Sequence, residues 1–327
     1  MDLLWLGRGL MKGGGSNRKE GLWMLRIVLT GATGFIGSKV LDRLLARGDS
    51  VTALTRDVPV AAMPAGVRWV KWEPRENGAW QRELDGHDAV IHLAGETAAG
   101  RRYNDAVRKE ILASRVEPTE RIVAAMAKVP SPPRVLVCAS GVGYYGPHED
   151  RAPLDENSPP GSDFLAQVCL AWEAAARSAE GLGARVVSGR IGFVLGHGGA
   201  LSKMLPIFKS FVGGTLGDGK QMVSWVHVDD VVGAFLHAVD TATLRGAMNV
   251  VAPHAVDNAE LTAELGRVLG RPALLPAPGF ALRALFGDGA EPLLTGQHVV
   301  PRALLEHGYR FQFTELSVAL ADLLGKK

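Results

Sequence analysis

A chain of 327 residues, 47% hydrophobic and 21% charged, has enough apolar material for one large domain or a main domain with a smaller appendage. Its net charge of +2 comes without a basic run or stripe, which argues against a nucleic-acid or anionic-membrane surface, and no apolar run is long enough to span a bilayer. Cys138 and Cys169 lie far apart with no CxxC spacing, which argues against a disulfide frame or zinc site and fits a reducing, cytoplasmic setting.

Residues 1–23 hold Gly13-Gly14-Gly15-Ser16 and no usable periodicity, so they read as a disordered extension ahead of Met24. From there apolar runs alternate with amphipathic stretches. The first strand, 25–30, runs into Gly31, Gly34 and Gly37, spaced three apart, and then into a helix over 35–47. Strand, glycine turn and helix in that order are what close approach to a pyrophosphate requires. Gly31 permits the tight turn, Gly34 keeps a Cβ out of the way, and Gly37 lets helix and strand pack closely. The positive helix end favours the phosphates, with Thr33, Phe35 and Ile36 completing the turn's contacts.

The second strand, 51–55, ends in Thr55-Arg56-Asp57. An acidic residue at this strand end binds the ribose 2′-OH of NAD, whereas a basic one pairs with the 2′-phosphate of NADP. Arg56 and the Thr55 hydroxyl favour NADP, and Asp57 keeps NAD open as the less favoured alternative. Strands at 67–71 and 89–93 follow. The latter ends in His92-Leu93-Ala94-Gly95-Glu96, where small residues let the backbone pass close to the adenine and ribose. His92 itself reads as a packing histidine.

A helix over 104–127 leads through Ser131-Pro132-Pro133 to a strand at 134–139. A helix over 164–180 then leads to a strand at 185–190. This alternation predicts an α/β fold, a Rossmann-type doubly wound parallel sheet, over 24–190. Past 190 the alternation loosens, and 191–327 reads as a smaller α/β substrate-side lobe with a small C-terminal domain. A strand at 222–228 and a helix at 229–239, with Asp229 as cap, have the option of returning to the main sheet.

These residues together resemble the short-chain dehydrogenase/reductase superfamily in its extended, epimerase/dehydratase-like form. The carriers are the glycine turn, the Leu93-Ala94-Gly95 strand end, Ala139-Ser140-Gly141 and Trp225-Val226-His227-Val228-Asp229-Asp230. The match is nearer to an epimerase-like branch found in bacteria and, as an NADP-binding relative, in animals. Its marks are Gly100-Arg101-Arg102-Tyr103, Gly143-Tyr144-Tyr145-Gly146, Trp172-Glu173, Gly192-Phe193-Val194-Leu195-Gly196 and Gly296-Gln297-His298-Val299-Val300-Pro301. The resemblance covers 24–327. It implies cofactor contacts at Thr55, Arg56, Leu93, Ala94, Gly95, Glu110, Arg115 and Val194. Glu110 lies five residues from Arg115, so the two do not share a helix face.

The superfamily's hydride transfer uses a Ser and a Tyr-x-x-x-Lys pair on one helix face. Counting back from Glu173 puts Leu165 and Cys169 at the Tyr and Lys positions, and neither can do that work. Ser140 stands where the superfamily's serine does. Tyr144 or Tyr145 is a substitute acid if Lys109, Arg115 or Lys203 supplies a nearby cation. Arg101-Arg102 is a candidate clamp for an anionic substrate, or a solvated loop. No metal-ligand spacing is present. The reading is an NADP-dependent epimerase or oxidoreductase acting on a small molecule, with a homodimer left open. The alternative is a redox-inactive NADP(H)-binding sensor or scaffold.

Overall fold

The computed structural model describes residues 24–58, 66–96, 102–148 and 150–325. The expected extension over 1–23 and the Arg101 candidate lie outside them. In chain order the first half runs β1 (Arg26–Thr30), α1 (Phe35–Arg47), β2 (Ser50–Thr55), β3 (Val67–Lys71), β4 (Ala89–His92), α2 (Asp105–Met126), β5 (Val135–Gly141), α3 (Phe164–Arg177) and β6 (Arg185–Ile191). The second runs β7 (Phe193–Leu195), α4 (Gly199–Lys209), β8 (Met222–Val223), β9 (Trp225–His227), α5 (Val228–Asp240), β10 (Gly246–Val250), β11 (Val256–Asp257), α6 (Asn258–Leu269), α7 (Gly279–Phe286), α8 (Glu291–Leu294), α9 (Arg302–Glu306) and α10 (Leu316–Leu324).

Seven parallel strands form one sheet in the order β3-β2-β1-β4-β5-β6-β10. The chain therefore leaves β1 in opposite directions toward β2 and β4, and the crevice at their C-terminal ends is where such folds take ligands. Ile27, Val28, Leu29, Val90, Ile91, Leu136 and Val137 are fully buried. Their near-continuous apolar character reflects helices on both faces, α1 packing on α5 and α2 on α3.

β10 carries little strand signal, because Gly246-Ala247-Met248-Asn249 has one long apolar residue and an amide. It is nevertheless the seventh strand, lying parallel beside β6. The expected strand at 222–228 does not join the sheet. It breaks into β8, antiparallel to β11, and β9, parallel to β7. The crossing at Gly192 dictates this: a Cβ there would lie 2.1 Å from the Ser224 carbonyl oxygen, so the chain is pinned against β7. The helix after it, α5, does return to the sheet and packs on α1. Its cap is His227, whose Nδ1 accepts from the Asp229 N–H at 3.1 Å, rather than Asp229, which sits in the first turn.

A second apolar core joins α4, α6 and α10 through Leu201, Phe208, Leu261, Leu265, Leu316 and Leu320. Asp230 fastens the C-terminal stretch to the main layer. Its buried carboxylate accepts from the Tyr309 hydroxyl at 3.0 Å and the N–H groups of Gln312 and Phe313 at 2.8 and 2.9 Å.

Candidate functional site

The glycine turn is built by backbone constraint. Gly31 has φ +73°, and a Cβ there would lie 3.0 Å from the Leu93 carbonyl carbon and 3.1 Å from the Ala94 nitrogen. A Cβ on Gly37 would sit 1.9 Å from the Gly31 carbonyl oxygen. The start of α1 is thus flush with the end of β1, and the turn rests on the end of β4. Gly34 is the N-cap of α1, no side chain among the described residues caps that end, and no acidic residue occupies its first turn. Without a side-chain cap, the first-turn N–H groups at the positive end of this 13-residue helix suit an anion. The residues present therefore fit a dinucleotide pyrophosphate. The Phe35 ring closes the turn against the loop after β7, where a Cβ on Gly196 or Gly198 would fall 2.6 or 2.3 Å from it. Val194 lies in β7 opposite Val226, half-buried against the main core, and Ile36 of α1 is half-buried against the same core.

Thr30 ties the ends of β1 and β4 together. Its hydroxyl lies 2.6 Å from His92 Nδ1 and accepts from the N–H groups of Leu93 and Ala94 at 3.2 and 3.3 Å. On the far side of the ring, His92 Nε2 lies 3.1 Å from the Thr119 hydroxyl. That hydroxyl also accepts from the Trp172 indole at 3.0 Å and donates to the Arg115 carbonyl at 2.6 Å. Every donor finds an acceptor when the proton sits on Nε2. Burial pushes the His92 pKa down to about 3, so it is a neutral core histidine.

At the end of β2, the buried Thr55 hydroxyl donates to the Asp57 carbonyl at 3.1 Å. Arg56 projects outward, with Nη1 3.4 Å from Glu96 Oε1. Arg115 sits inward of this pair. Its Nη2 donates to the Glu96 carbonyl at 2.7 Å and its Nη1 to the Ile111 carbonyl at 3.0 Å, while the guanidinium lies 5.2 Å from the Trp172 ring centroid. Gly95 passes over it, a Cβ there meeting Arg115 Cγ at 3.5 Å. Arg115 thus braces the β4 end from within. Glu110, on another side of α2, pairs with Arg75 at 2.6 Å.

Ser140, Tyr144 and Tyr145 all converge on a buried ion pair that the sequence reading missed. Arg190 of β6 grips Glu173 of α3 through two N–H groups, each at 2.9 Å, and both side chains are 3% exposed or less. Ser140 donates to Glu173 Oε1 at 2.8 Å. The Tyr144 ring lies 3.3 Å beneath the Arg190 guanidinium. The Tyr145 hydroxyl accepts from Arg190 Nη1 at 3.0 Å and donates toward Asn249 Oδ1 at 2.7 Å. The cation beside these phenols is therefore Arg190, not Lys109, Arg115 or Lys203. Tyr145 is 1% exposed, and burial pushes its pKa up to about 12. The signal for the pair was a charged residue in a strand buried on both faces and another on the apolar side of α3. Such residues persist inside a protein when they meet a partner.

Leu165 and Cys169 pack under the loop after β5. Leu165 Cβ lies 3.5 Å from where a Gly143 Cβ would be, and Cys169 Sγ lies 3.6 Å from the Gly141 carbonyl. Burial pushes the Cys169 thiol up to about 11. Nearby, Arg102 packs on Gly287, and Tyr103 meets Phe164 edge-on at 5.6 Å. Arg108 stacks over both rings and pairs with Asp288 at 2.5 Å. His227 is buried, and its ring lies 3.9 Å from that of Phe313, so it is a structural cap. Among the described residues no group of three or more His, Cys, Asp or Glu could hold a metal ion, and no helix is long and apolar enough to cross a membrane.

Residues 27–251 match the NAD dependent epimerase/dehydratase family, and residues 277–323 match the domain of unknown function DUF1731. Epimerase family protein SDR39U1 of Bos taurus is 40% identical, the alignment covering 92% of this chain and all 100% of that protein. The chloroplastic SDR39U1 homolog of Arabidopsis thaliana is 40% identical over 94% of this chain and 89% of its own length. Among solved structures, human epimerase family protein SDR39U1 (isoform2) with NADPH superposes with a TM-score of 0.82 at 37% identity, over 92% of this chain and 99% of that one. The chain belongs to the NAD dependent epimerase/dehydratase family, alongside the epimerase family proteins related to SDR39U1.

Proposed function

We propose that the chain binds NADP(H) and is an epimerase- or oxidoreductase-like protein acting on a small molecule. The observation that carries this is the uncapped start of α1 behind a turn where neither Gly31 nor Gly37 has room for a side chain. The N–H groups of Phe35 and Ile36 would receive the pyrophosphate, and Arg56 the 2′-phosphate. The NADPH bound to human SDR39U1, a relative of similar fold, supports the choice of cofactor. When bound, the nicotinamide supplies a hydride donor or acceptor. Ser140 commits its proton to Glu173, so it offers a ligand lone pairs rather than a proton and suits a substrate hydroxyl. Tyr144, half-buried on Arg190, is the phenol left as a substrate contact. Free, buried Cys138 and Cys169 support a reducing compartment such as the cytoplasm.

The test is a titration of NADPH and NADH into wild type and Arg56→Ala. Losing a charge-assisted contact worth about 1.5–3 kcal/mol should weaken NADPH about tenfold or more and leave NADH unchanged. Equal weakening of both, or of neither, removes Arg56 from the site. A second reading, NADP(H) binding without turnover, is favoured by the apolar packing of Leu165 and Cys169 and the burial of Tyr145. One substrate that changes nicotinamide absorbance catalytically would eliminate it.

A further inference from the structure

We propose that Glu96 is a positioning residue that tunes selectivity between phosphorylated and unphosphorylated dinucleotides by serving as the resident counter-ion of Arg56. The proposal rests on reading Arg56 as the 2′-phosphate contact. Three facts place Glu96 there. Its main chain is fixed, because Arg115 Nη2 donates to the Glu96 carbonyl at 2.7 Å while Arg115 is itself held by Ile111 and Trp172. Its carboxylate reaches back across the crevice from the end of β4 to the end of β2, where Oε1 lies 3.4 Å from Arg56 Nη1. Both side chains are open to an incoming ligand, at 66% exposure for Arg56 and 41% for Glu96.

A 2′-phosphate approaching Arg56 brings negative charge to a place already occupied by a carboxylate. It must displace Glu96 from the guanidinium or share the guanidinium with it. An unphosphorylated ribose brings neutral hydroxyls, which do not compete for Arg56. Glu96 therefore weakens the phosphorylated dinucleotide selectively. Exposed pairs of this kind contribute up to about 1 kcal/mol, which sets the expected effect at about two- to fivefold.

The experiment is a fluorescence titration of NADPH and NADH into wild type, Glu96→Gln, Glu96→Asp, Arg56→Ala and the double variant Glu96→Gln/Arg56→Ala, at low and high salt. The expected result is NADPH binding about two- to fivefold tighter in Glu96→Gln, with NADH unchanged. The gain should shrink at high salt, as exposed charges are screened. It should vanish in the Arg56→Ala background, and Glu96→Asp, which keeps the charge, should stay near wild type. Unchanged or weaker NADPH binding in Glu96→Gln, equal tightening of both dinucleotides, or a gain that survives in the Arg56→Ala background overturns the role of Glu96. Failure of Arg56→Ala alone to weaken NADPH instead overturns the Arg56 reading, and takes this proposal with it.

Discussion

The two ends of the crevice are built on opposite principles. The glycine turn presents first-turn backbone N–H groups that no side chain among the described residues caps, and its contacts are enforced by the absence of side chains at Gly31 and Gly37. The end of β5 presents side chains with rich chemistry, and they are bonded to one another. Ser140 is on Glu173, Glu173 on Arg190, Arg190 on Tyr145, and Tyr145 on Asn249. Asn249 is tied onward to the C-terminal stretch through the Val300 carbonyl at 2.9 Å. The first end is left open for a ligand, whereas the second is satisfied without one. A shared fold thus guarantees the binding half of a family's chemistry more firmly than the reacting half.

The sharpest way to break this contrast is Arg190→Met. Removing one partner of a buried pair leaves Glu173 charged and uncompensated, a loss of about 3–5 kcal/mol, read by denaturant unfolding. Arg190→Met with Glu173→Leu should lose less than the sum of the single changes. If Arg190→Met costs under about 1 kcal/mol, the β5 end is not the closed network described.

Next is Gly37→Ala, which forces a methyl against the Gly31 carbonyl. It should cost about 3 kcal/mol by overpacking and, in the fraction that folds, displace the turn and abolish NADPH binding. Wild-type affinity in this variant would show that the turn is not the phosphate cradle.

A smaller effect is the pH dependence of stability set by His92. The folded imidazole is held neutral to about pH 3, while an unfolded one protonates near pH 6.5. The unfolded state therefore binds the extra proton between these values, and stability is lost as pH falls through that window. The slope is at most about 1.4 kcal/mol per pH unit. His87 and His227, also lowered by burial, add to the slope. Glu156 and Asp230, raised by burial, oppose it as the pH approaches the carboxylate range. Denaturant unfolding of His92→Gln between pH 7 and 5 should give a flatter profile, and an unchanged profile would mean that His92 is not the dominant group. The Glu96→Gln shift in cofactor preference is the smallest effect and the finest probe of the open end.

What the sequence made legible follows the same division. The turn was readable because a backbone requirement has one chemical solution, glycine, and that solution is local. His92 was readable as a core residue from its apolar strand. The Arg190–Glu173 pair spans α3 and β6, and no local pattern states which buried charges will meet. β10 was invisible for a related reason: Asn249 stands in a sheet strand because its side-chain amide meets Tyr145 and Val300 and its main-chain N–H meets Glu156, all distant in sequence. The cap on α5 was misassigned because Asp is the common choice, whereas the buried ring of His227 reaches the same N–H.

The most direct test is a crystal structure of the chain with NADPH. The account predicts the pyrophosphate on the N–H groups of Phe35 and Ile36, the 2′-phosphate on Arg56 with Glu96 displaced or sharing the guanidinium, and the Ser140–Glu173–Arg190–Tyr145 network intact. A 2′-phosphate held elsewhere, or Tyr145 swung out of the network toward the nicotinamide, would contradict it.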